Sequence, residues 1–133
     1  MTAPVPIVGV KAMRWVANNI RKWPAKIGPK KANHYLGQIV RMQEEIGTGG
    51  GGFRYIYAAF LQESGKMLAN PNLSELSKEM TQIGDEWRDS AVDASRIYKN
   101  RSAVTDGYNN IAAQLEAIAK KEETFFKKLK KAV

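Results

Sequence analysis

Two long apolar stripes at helical spacing constrain this chain more than any other feature. Leu73, Leu76, Met80, Ile83, Trp87, Ala91, Ala94 and Ile97 follow one another by threes and fours, and so do Tyr108, Ile111, Leu115 and Ile118, the stripe continuing at Phe125 and Leu129. Such spacing gathers the side chains on one side of a helix. Only Asn100-Arg101-Ser102 stands between the two patterns, a short break with a capping serine. Two amphipathic helices joined that tightly are expected to fold back as an antiparallel hairpin. Asn72, with Glu75 three residues later, has the form of a capping box at the start of the first.

The rest of the chain also reads as helix. Val10, Met13, Val16 and Ile20 follow Gly9, and the pattern is expected to stop at Trp23-Pro24, where proline removes a donor. Gly28-Pro29 can open a second helix, with Tyr35, Leu36, Ile39, Met42 and Ile46 on one side. A third runs from Phe53 to Leu68 through Ile56, Tyr57, Phe60, Leu61 and Ser64, and Asn70-Pro71 closes it. Sustained period-two alternation and internal repeats are both lacking. The expectation is an all-α fold of about five helices in one domain over residues 1–133, its last two helices forming the hairpin.

Composition narrows the function classes. A chain of 133 residues can bury a real core. It has no cysteine, which excludes disulfides, thiolate metal ligands and a cysteine nucleophile in this chain. Residues 1–6 lack the basic and apolar regions of a secretory signal, and charges break each apolar run below the roughly 18 residues of a spanning helix. A cytoplasmic location is expected.

The net charge of +8 is unevenly spread. Residues 1–46 carry eight Lys or Arg against Glu44 and Glu45, and residues 120–131 carry six Lys against Glu122 and Glu123. An antiparallel bundle could bring these basic ends together, where they would attract nucleic acid, an anionic membrane surface or an acidic protein.

The candidate site is the segment between the second and third helices: Glu44, Glu45, Gly47, Thr48, Gly49, Gly50, Gly51, Gly52, Phe53, Arg54 and, one turn on, Tyr57. No Lys-Ser/Thr follows its last glycine, so it is not a phosphate-binding Walker loop, and no strand precedes it as in a dinucleotide fold. It can serve as an anion or docking site at a helix N-terminus, or as a tight connection. Gly47 is expected to end the second helix at positive φ. The remaining glycines would return Arg54 towards Glu44 or Glu45. Those two carboxylates diverge by about 100° on a helix and make a poor acid/base pair. His34 is the only histidine and makes neither a metal site nor a triad by itself. Catalytic, metal and cofactor residues are therefore all assigned as none.

Several of these residues carry a family resemblance. Gly9 and its helix, Trp23-Pro24, Glu44-Glu45-Ile46-Gly47-Thr48-Gly49-Gly50, Phe53-Arg54, Tyr57, Phe60-Leu61, Glu63 and Trp87 together resemble the helical C-terminal region of the butirosin-biosynthesis-H-like acyltransferases. The resemblance spans about residues 7–99, with a further basic helix over about 103–131. In that family a cysteine-dependent, papain-like domain precedes this region and transfers an acyl group from an acyl carrier protein to an amine. The nucleophile has no counterpart here. The resemblance implies a non-catalytic accessory module that docks a separate acyltransferase-like domain or an acidic acyl carrier protein. A small basic nucleic-acid-binding protein is the alternative. Apolar surface left without a partner domain would favour a homodimer.

Overall fold

The computed structural model describes residues 5–44, 51–99 and 104–132. They form α1 (Val5–Ile27), α2 (Pro29–Glu44), a 3-10 turn at Gly51–Phe53, α3 (Arg54–Met67), α4 (Pro71–Tyr98) and α5 (Val104–Ala132), with no strand among them. The all-α expectation holds. No helix among the described residues is long and apolar enough to cross a membrane.

The architecture grows from a seven-residue repeat. Leu73, Met80, Trp87 and Ala94 recur every seven positions on α4, as do Leu76, Ile83, Ser90 and Ile97, and all of these are buried. On α5 the two series are Tyr108, Leu115, Glu122 and Leu129, and Ile111, Ile118, Phe125 and Ala132. Only Leu129 and Ala132, near the helix end, are partly open. Such paired series form the seam of a coiled coil. The hairpin expected from the stripes is present, and its register is antiparallel. Lys128 Nζ reaches Glu79 Oε1 at 2.9 Å, Lys121 pairs with Glu86, and Gln114 Nε2 donates to Asp93 Oδ2 at 2.6 Å. This ladder lines the open edge of the seam.

The opposite edge carries small residues: Ser77, Gly84 and Ala91 on α4, Ala112 and Ala119 on α5, all buried. Small side chains let further helices lie close. The ion pairs Arg14–Glu123, at 2.6 Å, and Arg21–Glu116 lay α1 antiparallel on α5. Packing of α3 on α4 is antiparallel too, with Ser77 Oγ donating to the Ala58 carbonyl at 2.7 Å. Near the end of α3 the two helices almost touch at Gly65, where an added Cβ would lie 2.7 Å from Ser74 Oγ and 3.1 Å from the Ser74 backbone nitrogen. Gly65→Ala should therefore destabilise by about 1–3 kcal/mol, read as a lower urea midpoint at unchanged slope.

Local details depart from the sequence expectations in three places. α1 does not stop at Trp23-Pro24 but runs on to Ile27 with Pro24 inside its last turn. The lost hydrogen bond is a local cost that the fully buried Ile20 and half-buried Trp23 and Ile27 offset by packing. The buried line of α2 is Ala32, Leu36 and Val40. Tyr35 sits at the exposed edge, its ring 5.8 Å from that of Trp23, while Ile39 is partly buried. The cap of α4 is Asn70 rather than Asn72: Asn70 Oδ1 accepts the Asn72 N–H at 3.1 Å, with Pro71 as the first helical residue. Glu75 turns outward to Lys78 instead of closing a capping box. The Gly28-Pro29 start is as expected, with Gly28 at φ +85° and its carbonyl accepting from Ala32 N. The break at residues 100–103 lies outside the described residues.

Tyr108 ties the start of α5 to α2. Its ring is fully buried and its hydroxyl donates to Asn33 Oδ1 at 2.7 Å. Burial pushes its pKa up to about 12, whereas an unfolded tyrosine ionises near pH 10, at about the model-peptide value. A pKa raised by folding gives stability that is whole below the unfolded value and is lost as pH climbs through the folded one. Stability should thus fall between about pH 10 and 12. Tyr108→Phe should flatten that fall, measured as melting temperature against pH, while lowering the neutral-pH value through loss of the Asn33 bond.

Candidate functional site

Of the candidate segment, Glu45, Gly47, Thr48, Gly49 and Gly50 lie outside the described residues, and with them the proposed cap at Gly47. The remainder is held firmly. Gly51 is buried at φ +59°, and a Cβ there would meet the Tyr55 ring at 3.1 Å and the Gly84 backbone at 3.3 Å. Only glycine takes this backbone without strain, so Gly51 serves the turn itself. Its N–H donates to Glu44 Oε1 at 3.1 Å, while Glu44 Oε2 lies 3.8 Å from Arg88. Arg88 also sits over the Tyr55 ring, and the Tyr55 hydroxyl donates to Asp85 Oδ1 at 2.6 Å. Glu44 is thus a clamp on the 3-10 turn.

Arg54 finds a partner on α5. Its Nε donates to Glu122 Oε1 at 2.6 Å, and its guanidinium carbon stands 4.5 Å above the Trp87 ring. Trp87 Nε1 donates to the same Glu122 oxygen at 3.1 Å. Glu122 occupies a seam position between Ile118 and Phe125 and is 4% exposed. A carboxylate so buried needs paired donors, and it has a guanidinium and an indole. This network joins α3, α4 and α5 at one point.

Above it opens a cleft of about 170 Å³ lined by Phe53, Arg54, Tyr57, Met80, Glu122 and Phe126. Tyr57 makes edge contacts with Phe125 and Phe126, whose own rings are 5.1 Å apart. Burial raises the Tyr57 pKa. Phe53 stands at the lip with φ 71° and is 56% exposed. A bulky residue in the left-handed region is a strained one, and here little of its ring is buried in return. From Phe53 exposed apolar side chains follow along α3 at Ile56 and Phe60 and, past Glu63 and Ser64, at Met67 and Leu68.

The segment's Phe53, Arg54 and Tyr57 therefore do converge, whereas Glu44 serves the turn. Sequence reading passed over Glu122, Met80 and Phe126 as site residues. The signal for Glu122 was its place in the heptad, where a charge inside an apolar stripe needs a buried partner. His34 is exposed on α2, facing an opening of about 650 Å³ lined by α2 residues including Lys30, Gln38 and Arg41. Among the described residues no group of three or more His, Cys, Asp or Glu side chains could hold a metal ion. The arrangement at the cleft is one for seating an apolar group, its buried carboxylate already engaged by two donors.

The basic ends meet only in part: Arg14 and Lys127 both reach Glu123, at 2.6 and 3.5 Å, while the remaining N-terminal lysines of the α1–α2 corner lie elsewhere. Lys22 and Lys26 on α1 and Lys30 and Lys31 on α2 flank the Gly28 corner, and the Tyr108–Asn33 bond sets this corner at the start of α5. Lys127 to Lys131 lie some twenty residues along α5, about 30 Å away at 1.5 Å per residue. The two patches are thus separated by several screening lengths.

No curated protein and no solved structure matches the chain. A family model described as Domain of unknown function (DUF4872) matches residues 1–129, which takes in α1 to α4 and all but the last turn of α5. The chain belongs to the DUF4872 family.

Proposed function

We propose that this chain is a non-catalytic helical interaction module that docks a separate protein domain through the outer face of α3. One observation carries this reading: Phe53, Ile56, Phe60, Met67 and Leu68 are exposed together along a single helix and its two ends. Exposed apolar side chains gathered on one face, here interrupted by Glu63 and Ser64 between Phe60 and Met67, are a mark of interaction sites. The sequence resemblance supplies the kind of partner, a cysteine-dependent acyltransferase-like domain, with an acidic acyl carrier protein as the other candidate. A chain without cysteine brings no such nucleophile of its own, which supports an accessory role.

The test is direct mixing of this chain with a cysteine-dependent domain of the resembled acyltransferase family, followed by sedimentation. Phe60→Asp should weaken the complex by about thirtyfold or more, the loss of a hot-spot residue. Its melting temperature should hardly move, because Phe60 is 62% exposed. Undiminished binding by the variant would refute docking through α3. A nucleic-acid reading draws on the corner lysines Lys22, Lys26, Lys30 and Lys31, which have no ion-pair partner among the described residues. Tight, salt-sensitive binding to duplex DNA, abolished by reversing those lysines, would favour it instead.

A further inference from the structure

The outer face of α1 carries charge of one sign. Residues 1–43 contain eight Lys or Arg and neither Asp nor Glu. Two of the eight, Arg14 and Arg21, lie on the α5 side of α1, where they hold Glu123 and Glu116. Val10, Ala17 and Ile20 are buried on its inner side. At about 100° per residue, the direction opposite that buried line falls on Lys11, Trp15, Asn18, Lys22 and Lys26, and all five are exposed. They form one convex ridge about 22 Å long, at 1.5 Å per residue.

The fold makes no use of these side chains. Lys11, Lys22 and Lys26 form no ion pair or hydrogen bond among the described residues. Trp15 stands between the first two and is 68% exposed, and its ring makes no aromatic or cation contact there either. The other two tryptophans behave differently: Trp87 is buried and Trp23 packs half-buried against the core. An indole left in water forgoes a large gain from burial. Free cations on both sides of it add an electrostatic attraction along the same line.

We infer that this ridge rests on an anionic membrane surface, with Lys11, Lys22 and Lys26 facing the lipid phosphates and carboxylates and Trp15 entering the headgroup layer. Tryptophan favours that layer because its ring is apolar while its N–H stays hydrated. Each lysine close to an anionic leaflet strengthens binding about fivefold. A plane meets the whole of a straight ridge at once. The phosphates of duplex DNA wind away from it, and stacked bases offer no face to the indole. An acidic protein matches the charge but must provide a socket for a protruding ring, whereas a headgroup layer opens around one. A second copy of this chain presents the same cations and is repelled. The inference goes beyond docking through α3 and does not rest on it.

The experiment sediments the full chain with vesicles of phosphatidylcholine, with and without phosphatidylserine. A labelled DNA duplex and polyglutamate are read by anisotropy at the same salt. Binding to vesicles should require phosphatidylserine and weaken as salt rises. Lys11→Glu/Lys22→Glu should bind about thirtyfold more weakly or worse, and Trp15→Ala about tenfold more weakly. Neither should move the melting temperature appreciably, because all three side chains are exposed. Lys78→Glu/Lys120→Glu makes the same change in net charge at exposed positions on α4 and α5 and should keep most of the binding. Equal losses in the two lysine pairs would overturn the ridge in favour of net charge alone, and undiminished binding by either ridge variant would overturn the inference outright. Loss in Phe60→Asp with full binding by the ridge variants would move the membrane contact to α3. Tighter binding to the duplex or to polyglutamate than to the vesicles would replace the membrane with that polyanion.

Discussion

Glu122→Ala should destabilise this chain by about 3–5 kcal/mol, because it leaves the Arg54 guanidinium without its buried carboxylate partner. The Trp87 indole N–H loses its acceptor in the same step. At this chain length that corresponds to a fall in melting temperature of about 10–20 °C, measurable by circular dichroism or calorimetry. The comparison that isolates the ion pair is a double-mutant cycle. Glu122→Leu with Arg54→Met removes both charges and should cost clearly less than the sum of the single changes, by a coupling of about 1–3 kcal/mol. Additive losses would show that Glu122 is held by the surrounding packing rather than by Arg54.

Trp87→Ala should be comparably severe, at about 3–5 kcal/mol. The ring is 6% exposed in the α4–α5 seam and carries the Arg54 guanidinium on its face. Trp87→Phe separates the contributions. It keeps most of the apolar volume but deprives Glu122 of one donor, so about 1–3 kcal/mol should be lost. A loss below about 1 kcal/mol for the alanine variant would be at odds with a buried position. Because Trp87 and Glu122 share one network, their alanine variants combined should cost less than their separate losses added. Neither variant says anything of docking by itself, which is why the exposed Phe60 is the better probe of function.

The helical class and the hairpin were legible in the residues. A 3.6-residue period is a property of the backbone alone, so a stripe that repeats by threes and fours over some twenty-five positions admits no other regular structure. The start of α2 was legible for the same local reason, glycine before proline at a helix end. That Phe53, Arg54 and Tyr57 stand at the head of α3 was legible, but not that they line one cleft, since neighbours in sequence diverge by about 100° on a helix. Glu122 was the one charged residue whose heptad place could have announced a buried partner.

What the tertiary structure decided depends on which faces meet. Arg54 lies sixty-eight positions from Glu122, and no local pattern links them; only the packing of α3 and α5 against α4 does. Pro24 within α1 belongs here too, since the cost of a missing hydrogen bond is local while the packing of Ile20, Trp23 and Ile27 that outweighs it is not. The apolar residues of α3 illustrate the limit most clearly. Phe53, Ile56, Phe60 and Leu61 all read as one core stripe by period, yet Leu61 is buried and the others face outward. Periodicity ranks the sides of a helix by hydrophobicity but cannot say how wide a side its neighbours will cover. Here Ala58, Leu61 and Gly65 are the residues covered on α3, because the small residues of α4 draw α3 in along that line and leave the large apolar side chains beside it in the open.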